Sequence, residues 1–159
     1  MAKEENIYRK CREDAGLTRD RASELLEWIS PDRIDRIERG NDPRPDEVLR
    51  MAECYKRPEL CNYYCTHACH IGKQLIPEVQ DKDLANIVLE LLNTLNSLDR
   101  EKNRLIEIAA DGKITEDEYR DFAAIQKQLE SVSMSVDSLK LWIRKTVAGG
   151  KMQADALQR

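Results

Sequence analysis

Hydrophobic residues recur at alternating intervals of four and three positions in two long stretches of the second half of the chain. In the first stretch the repeat consists of Leu84, Val88, Leu91, Leu95, Leu98, Leu105 and Ala109. In the second stretch it consists of Phe122, Ile125, Leu129, Val132, Val136, Leu139 and Ile143. This heptad spacing indicates one apolar stripe on each of two helices. We predict that the two stripes face each other in an antiparallel hairpin over residues 76–147.

One turn separates the two stretches. Gly112 suits a helix C-cap, and Thr115 with Glu118 has the spacing of a capping box at the start of the second helix. The apolar stripes are wider than a two-helix hairpin can bury by itself. We therefore expect the hairpin to form a homodimer, as a four-helix bundle, or to bind a protein partner.

The first 57 residues show short helical patterns that are separated by tight turns. Gly16 fits a left-handed C-cap, and Thr18 fits the N-cap of a second helix over about residues 19–26. Ser30 precedes Pro31, which is favoured at the first position of a helix, so a third helix is predicted to run from there to Arg39.

A fourth helix is predicted to follow the second proline of this segment, Pro45. Its apolar positions, Val48, Leu49 and Ala52, are expected to be buried. Residues 1–57 thus contain at least four short helices, which suits a small helical domain.

These residues resemble the lambda-repressor-like (XRE, or Cro/CI) helix-turn-helix family. The matching positions are Arg12, Gly16-Leu17-Thr18, Ser30, Ile34-Asp35-Arg36-Ile37-Glu38-Arg39-Gly40, Pro45 and Ala52. The resemblance covers about a third of the chain. It implies a five-helix bundle whose third helix lies in the major groove of DNA, and an internal ion pair between Arg12 and Glu38.

The resemblance also implies which side chains contact DNA. Base-edge contacts would come from the third helix, and phosphate contacts from the start of the second helix and from the loop after the third. The implied DNA-binding set is Thr18, Arg19, Ser30, Pro31, Asp32, Arg33, Arg36, Asn41 and Arg44. Asp32 and Asp35 place carboxylates on or near the exposed face of the third helix. Carboxylates repel phosphates, but an aspartate can accept a hydrogen bond from cytosine N4.

A segment between the two helical regions is rich in possible metal ligands. Six of them fall within 17 positions, namely Cys54, Cys61, Cys65, Cys69, His67 and His70. Thiolate and imidazole groups suit zinc, and thiolates suit an iron–sulfur cluster. The spacing matches no standard zinc finger, and Cys61, Cys65 and Cys69, at intervals of four on one helix, spread too far along its axis for one ion to hold all three. Small core cysteines are therefore the favoured interpretation, with no cofactor expected, and a structural zinc or iron–sulfur site is the alternative.

Composition narrows the possible functions. The chain of 159 residues has a net charge of −4, which removes the simplest argument for nucleic-acid binding but leaves a local basic face possible. Ten of the 13 Lys and Arg residues among the first 57 are arginines, which favour bidentate contacts to phosphates and bases. The sequence contains no enzyme signature, signal peptide or membrane-spanning stretch. We expect a cytoplasmic protein that is not an enzyme.

These observations predict an all-α protein with four parts. A helix-turn-helix domain (1–57) is followed by a Cys/His-rich connecting helix (58–75), a helical hairpin (76–147) and a flexible tail (148–159). The predicted function is a homodimeric, sequence-specific transcriptional regulator that binds double-stranded DNA. The alternatives are an adaptor that uses the helix-turn-helix fold for packing alone, and a regulator that responds to metal or redox state through the Cys/His segment.

Overall fold

The computed structural model describes residues 6–110 and 112–152, and every regular element within them is a helix. In chain order the helices are α1 (Ile7–Asp14), α2 (Arg19–Leu26), α3 (Pro31–Glu38), α4 (Pro45–Cys54), α5 (Glu59–His67), α6 (Gly72–Leu75), α7 (Leu84–Ala109) and α8 (Tyr119–Ala148). The predicted fold class, a helix-turn-helix domain followed by a long helical pair, is confirmed. Residues 153–159 of the predicted tail and Asp111 of the predicted turn lie outside the described residues.

The chain divides into two compact units. One unit comprises Met1–Glu78 together with Ile143–Arg159, and the other comprises Val79–Trp142. The first unit therefore contains α1 to α6 and the last residues of α8. The second contains α7 and most of α8.

Local capping sets the bounds of the helices in the first unit. The Thr18 side chain accepts a hydrogen bond from the Arg21 amide at 3.2 Å and caps α2. The Ser30 hydroxyl accepts one from the Arg33 amide, also at 3.2 Å, and caps α3. Gly16 has φ +70°, as a left-handed C-cap requires. The predicted bounds of α2 and α3 are confirmed to within one residue.

The turn between α2 and α3 is closed by an unusual backbone conformation. Glu27 has φ +68°, a backbone angle that residues other than glycine rarely adopt. The amide of the following residue, Trp28, donates to the Leu26 carbonyl at 2.8 Å. Ile29 is 1% exposed and anchors the turn in the core. Burial of this isoleucine therefore holds the angle between the two helices.

The core of the first unit is built from α1 to α5. Its buried members are Tyr8, Cys11, Ala22, Leu26, Ile29, Ile34, Ile37, Val48, Met51, Ala52, Tyr55 and Leu60. The prediction that Leu49 is buried is wrong, because its side chain is 57% exposed. The buried face of α4 follows Val48, Met51 and Ala52, and one residue is a 100° step around a helix, which carries Leu49 off that face.

A buried ion pair joins α1 to α3. The Arg12 Nε donates to Glu38 Oε1 at 2.6 Å, and the two side chains are 7% and 2% exposed. A second guanidinium nitrogen of Arg12 donates to the Leu17 carbonyl at 2.6 Å. The pair that the family resemblance implied is confirmed as a structural contact. It fixes the C-terminal end of α3 against α1.

The buried positions of the second unit coincide in part with the predicted apolar stripes. The buried apolar residues among the described positions of this unit are Ile87 and Ile108 of α7 and Ile125 and Leu141 of α8. On α7, Leu91, Leu98 and Leu105 of the predicted stripe are half-buried, and Ile87, Thr94 and Ile108 complete the inward face. The prediction that Leu84, Val88, Leu95, Phe122 and Leu129 face the hairpin seam is wrong, because they are 37–46% exposed.

Polar contacts link the two helices of the hairpin and confirm that they run antiparallel. The Gln128 side chain donates to the Thr94 carbonyl at 3.1 Å, and the Arg104 guanidinium contacts Asp121 at 2.6 Å. At the turn, the Thr115 amide and hydroxyl both donate to Glu118, as half of a capping box. Neither of these helices, nor any other in the described parts of the chain, is long and apolar enough to cross a membrane.

Candidate nucleic-acid interface

Helix α3 presents one buried face and one exposed face. Ile34, Ile37 and Glu38 lie in the core. Asp32 and Arg36, one turn apart, lie on the exposed side. The N-terminus of the helix, with Ser30 as its cap, is also exposed. A surface of this kind is open to a ligand as large as a duplex.

The Arg33 guanidinium is turned away from that surface. Its Nε and one terminal nitrogen donate to the two carboxylate oxygens of Glu47 at 2.9 and 2.7 Å, and it also donates to the Asp42 carbonyl at 3.1 Å. The Glu47 side chain is 2% exposed. The Arg33 hydrogen bond lowers the pKa of Glu47, and Glu47 in turn raises the pKa of Arg33. A base contact by Arg33 stays a prediction, and it would require this buried pair to open.

Arg19 and Asp35 are also engaged within the protein. The Arg19 guanidinium lies 2.8 Å from Glu38 and 3.1 Å from Asp35. Arg39 approaches the other oxygen of Asp35 at 2.8 Å. Two arginines therefore neutralise Asp35. Of the two carboxylates expected on the DNA-facing side, this one carries little free charge.

Arg36 and Asp32 are the exposed exceptions on α3. The Arg36 Nε donates to the Asp32 backbone carbonyl at 3.3 Å, and no carboxylate pairs with this guanidinium within residues 6–110 and 112–152. The Asp32 side chain is exposed at the second position of the helix. The exposed face of α3 therefore carries a guanidinium, which donates hydrogen bonds, and a carboxylate one turn away, which accepts them.

The remaining predicted contacts surround α3. Thr18 and Asn41 are exposed at the start of α2 and in the loop after α3, and Pro31 is half-buried. Arg44 is 62% exposed and lies 5.5 Å above the Trp28 ring in a cation–π contact. Its amide donates to Glu47 at 2.7 Å, which ties this loop to α4. Most members of the predicted set are therefore exposed, whereas the guanidinium groups of Arg19 and Arg33 are paired with buried carboxylates.

Ion pairs within the protein engage several arginines of this surface. Four of the arginines of this surface, Arg19, Arg33, Arg39 and Arg44, lie within 3.7 Å of a carboxylate. A phosphate contact releases counterions only in proportion to the cations that are free to meet it. Attraction to DNA of arbitrary sequence is therefore expected to be weak.

The cysteines of the Cys/His segment are spread over two helices and the residues that follow them. Cys54 lies on α4, Cys61 and Cys65 lie on α5, and Cys69 follows α5. All four are half-buried free thiols. Residues 6–110 and 112–152 contain no group of three or more His, Cys, Asp or Glu side chains that could hold a metal ion. The structure therefore does not bring the predicted ligands together.

The two histidines of this segment have different surroundings from the four thiols. The His67 ring stacks on Tyr63 with 4.1 Å between ring centroids, and His70 is exposed. Burial raises the pKa of the Cys54 and Cys61 thiols, and Cys65 adds to the rise at Cys61. A raised pKa lowers the thiolate fraction that both metal binding and oxidation require.

Sequence reasoning did not identify two residues of this surface. Glu47 fixes Arg33, and it could have been noticed as a carboxylate in the first turn after Pro45 at the N3 position of a helix. Trp28 is 48% exposed beside Arg44, and an aromatic residue in a short turn was the available signal.

Comparisons with known proteins agree with this geometry. Residues 9–60 match the sequence model of a family described as a helix-turn-helix domain. Searches of curated proteins and of solved structures give no significant match. The matched range extends from α1 to the start of α5 and includes all of the predicted DNA-binding residues. The N-terminal third of this chain therefore matches the helix-turn-helix domain family.

Proposed function

We propose that this protein is a sequence-specific DNA-binding transcriptional regulator of the lambda-repressor-like type, which acts as a homodimer in the cytoplasm. The observation that carries the proposal is the exposed face and N-terminus of α3 in a helix-turn-helix domain. A helix of this size fits the major groove, where base edges differ in their donors and acceptors.

The start of α2 supports the same docking. Thr18 caps this helix, and its hydroxyl is exposed next to the free amides of the first turn. Backbone amides at a helix N-terminus attract anions, so a phosphate can sit there while α3 enters the groove. Phosphate contacts of this kind hold the orientation on the duplex without depending on arginine charge.

The proposed dimer uses the exposed apolar stripes of the hairpin. On α7 they include Leu84, Val88, Leu92 and Leu95, and on α8 they include Phe122 and Leu129. Because the two helices run antiparallel, a one-residue step from each buried stripe turns toward the same side of the hairpin. A second copy of this chain is the occupant that fits, because it would bury both stripes and pair two recognition helices for half-sites about 34 Å apart.

A charge placed in the stripe tests the dimer. Leu92→Glu and Leu95→Glu should each shift the full-length chain from dimer to monomer in sedimentation equilibrium. Leu75→Glu is the matched control, since Leu75 is a 72% exposed leucine on α6, outside the hairpin. A wild-type chain that is monomeric at tens of micromolar would contradict the dimer.

Selection of duplexes tests DNA recognition. The reduced full-length protein is mixed with a pool of genomic fragments at near-physiological salt, and the bound fragments are sequenced. The proposal predicts an enriched site with two-fold symmetry and about one helical turn between half-site centres. No enrichment, combined with no binding at low salt, would contradict it.

The competing function is a protein-interaction adaptor. The ion pairing of the surface arginines and the exposed apolar stripes of the hairpin favour it. In that case α3 is a packing element, and the hairpin binds helices of another protein. The duplex selection separates the two functions, because an adaptor enriches no sequence.

A further inference from the structure

The charged side chains on the open face of α3 differ in their freedom to meet a ligand. Arg33 is bound to Glu47, and Arg39 is bound to Asp35. Asp35 is held by Arg19 as well. These contacts neutralise each other within the protein, and they leave Arg36 and Asp32 as the charged side chains of α3 without an ion pair in the described parts of the chain.

We propose that Arg36 and Asp32 are the specificity-determining pair of this protein, with Arg36 reading a guanine and Asp32 a cytosine in the major groove. This inference rests on the proposed DNA-binding function and adds to it the base composition of each half-site. It concerns two residues that the ion-pair pattern separates from the other members of the predicted DNA-binding set.

The chemistry of the two side chains selects the bases. A guanidinium donates two parallel hydrogen bonds to O6 and N7 of guanine, which is the commonest specific contact in the major groove. A carboxylate only accepts hydrogen bonds, and cytosine N4 is a donor on that edge. Thymine offers an acceptor and a methyl group there, so a carboxylate facing it has no partner.

The geometry limits how far apart the two bases lie. Residues four apart on a helix are separated by about 6 Å along its axis, and base pairs are stacked about 3.4 Å apart. The Arg36 Nε donates to the Asp32 carbonyl at 3.3 Å, which directs the guanidinium toward the N-terminal end of α3. The guanine and the cytosine are therefore expected within one or two base steps of each other.

Asp32 also acts against incorrect sequences. An unpaired carboxylate on a DNA-facing helix repels the phosphate backbone, and no internal cation offsets it here. At the correct site, the hydrogen bond from cytosine offsets this electrostatic repulsion. On DNA of random sequence the repulsion is not offset. We expect the pair to raise the ratio of specific to non-specific affinity more than it raises affinity itself.

The test repeats the duplex selection with Asp32→Asn and with Arg36→Lys in the full-length chain. Asparagine pairs with adenine through N6 and N7. Asp32→Asn should therefore change one preferred base in each half-site from cytosine to adenine and leave the other positions as they are. Arg36→Lys should weaken binding to the selected site about 5- to 150-fold, with little effect on a scrambled duplex.

Two matched controls come from the same domain. Asp46→Asn makes the same change at the same position of α4, which also begins with proline, and Asp46 is exposed. Arg39→Lys makes the arginine change on the exposed part of α3. Neither control should alter the selected bases.

Three outcomes are distinguishable. A shift from cytosine to adenine with Asp32→Asn supports the pair. Unchanged base preferences in both variants, or an equal loss of affinity on selected and scrambled duplexes, would overturn the pair and leave the DNA-binding function standing. A wild-type chain that enriches no sequence would overturn the function itself. Circular dichroism melting of each variant establishes that it is folded, as expected for exposed positions.

Discussion

Arg33→Ala separates a structural arginine from a base-reading one. The substitution removes the partner of Glu47, whose side chain is 2% exposed and accepts two hydrogen bonds from Arg33. Removing one member of a fully buried ion pair costs about 3–5 kcal/mol. Arg33 is itself 25% exposed, and Glu47 keeps the hydrogen bond from the Arg44 amide. Both facts reduce the expected cost to about 2 kcal/mol.

This magnitude is measurable by thermal unfolding of the full-length chain. A loss of about 2 kcal/mol corresponds to a decrease of roughly 4–8 °C in Tm for a protein of this length. Arg36→Ala is the control, because Arg36 is exposed and its guanidinium donates a hydrogen bond to a backbone carbonyl. It should change stability by less than about 0.5 kcal/mol.

A double variant adds a second check. Replacing Glu47 by glutamine in the Arg33→Ala background removes the buried unpaired charge, so this variant should be more stable than Arg33→Ala alone. If Arg33→Ala leaves the Tm within 1 °C of wild type, as an order-of-magnitude limit, the buried pair does not hold α3 to α4. The Arg33 guanidinium would then again be a candidate for contacting a base.

Three further predictions concern other contacts of the first unit. The pKa of Glu47 is lowered from 4.5 in the folded protein, so its ion pair stabilises the fold above pH 4.5. That contribution is lost as the pH falls through the lower pKa of the folded state. The free energy of unfolding in urea, measured between about pH 3 and pH 7, should therefore depend less on acid in Glu47→Gln than in wild type. Burial raises the pKa of Cys11 to about 11, so this thiol should be the last one modified when the reduced native protein is alkylated at about pH 8. Mass spectrometry measures the order of modification, and early modification of Cys11 would show that α1 opens readily. Gly72→Ala would place a Cβ against the Cys65 backbone oxygen and should lower stability by about 1–3 kcal/mol in urea unfolding. An unchanged midpoint would mean that α6 moves freely away from α5.

Local sequence rules predicted the helices of the first unit well. The bounds of α2 and α3 follow from Thr18, Ser30 and Pro31, and each of these acts through hydrogen bonds or backbone angles within three residues. Such signals do not depend on the tertiary fold. The Arg12–Glu38 pair spans 26 residues and was predicted through the family resemblance alone.

The hairpin shows why spacing alone does not select a buried face. Leu84, Val88 and Leu95 of the predicted repeat are exposed, whereas Leu91 and Leu98 of the same repeat are half-buried on the side of Ile87. The stripe that is half-buried includes a polar residue, Thr94, whose carbonyl accepts a hydrogen bond from Gln128. Two overlapping apolar stripes exist on α7, and a contact from the neighbouring helix decides between them.

The candidate interface was predicted as a surface, but the roles within it were not. Arg33 and Arg36 are equivalent in sequence, since both are arginines on the third helix. Their difference depends on Glu47, 14 residues further along the chain, and on the packing that buries it. Ion pairs of that kind follow from the tertiary fold, so the structure was needed to separate structural arginines from exposed ones.

The ratio of two affinities tests the central claim most directly. The full-length protein is titrated against its selected duplex and against a scrambled duplex of the same composition at 150 mM salt, a round physiological value. A sequence-specific regulator should bind the selected duplex at least about 1,000-fold more tightly. A ratio near one would contradict the account and would assign the helix-turn-helix domain to protein packing.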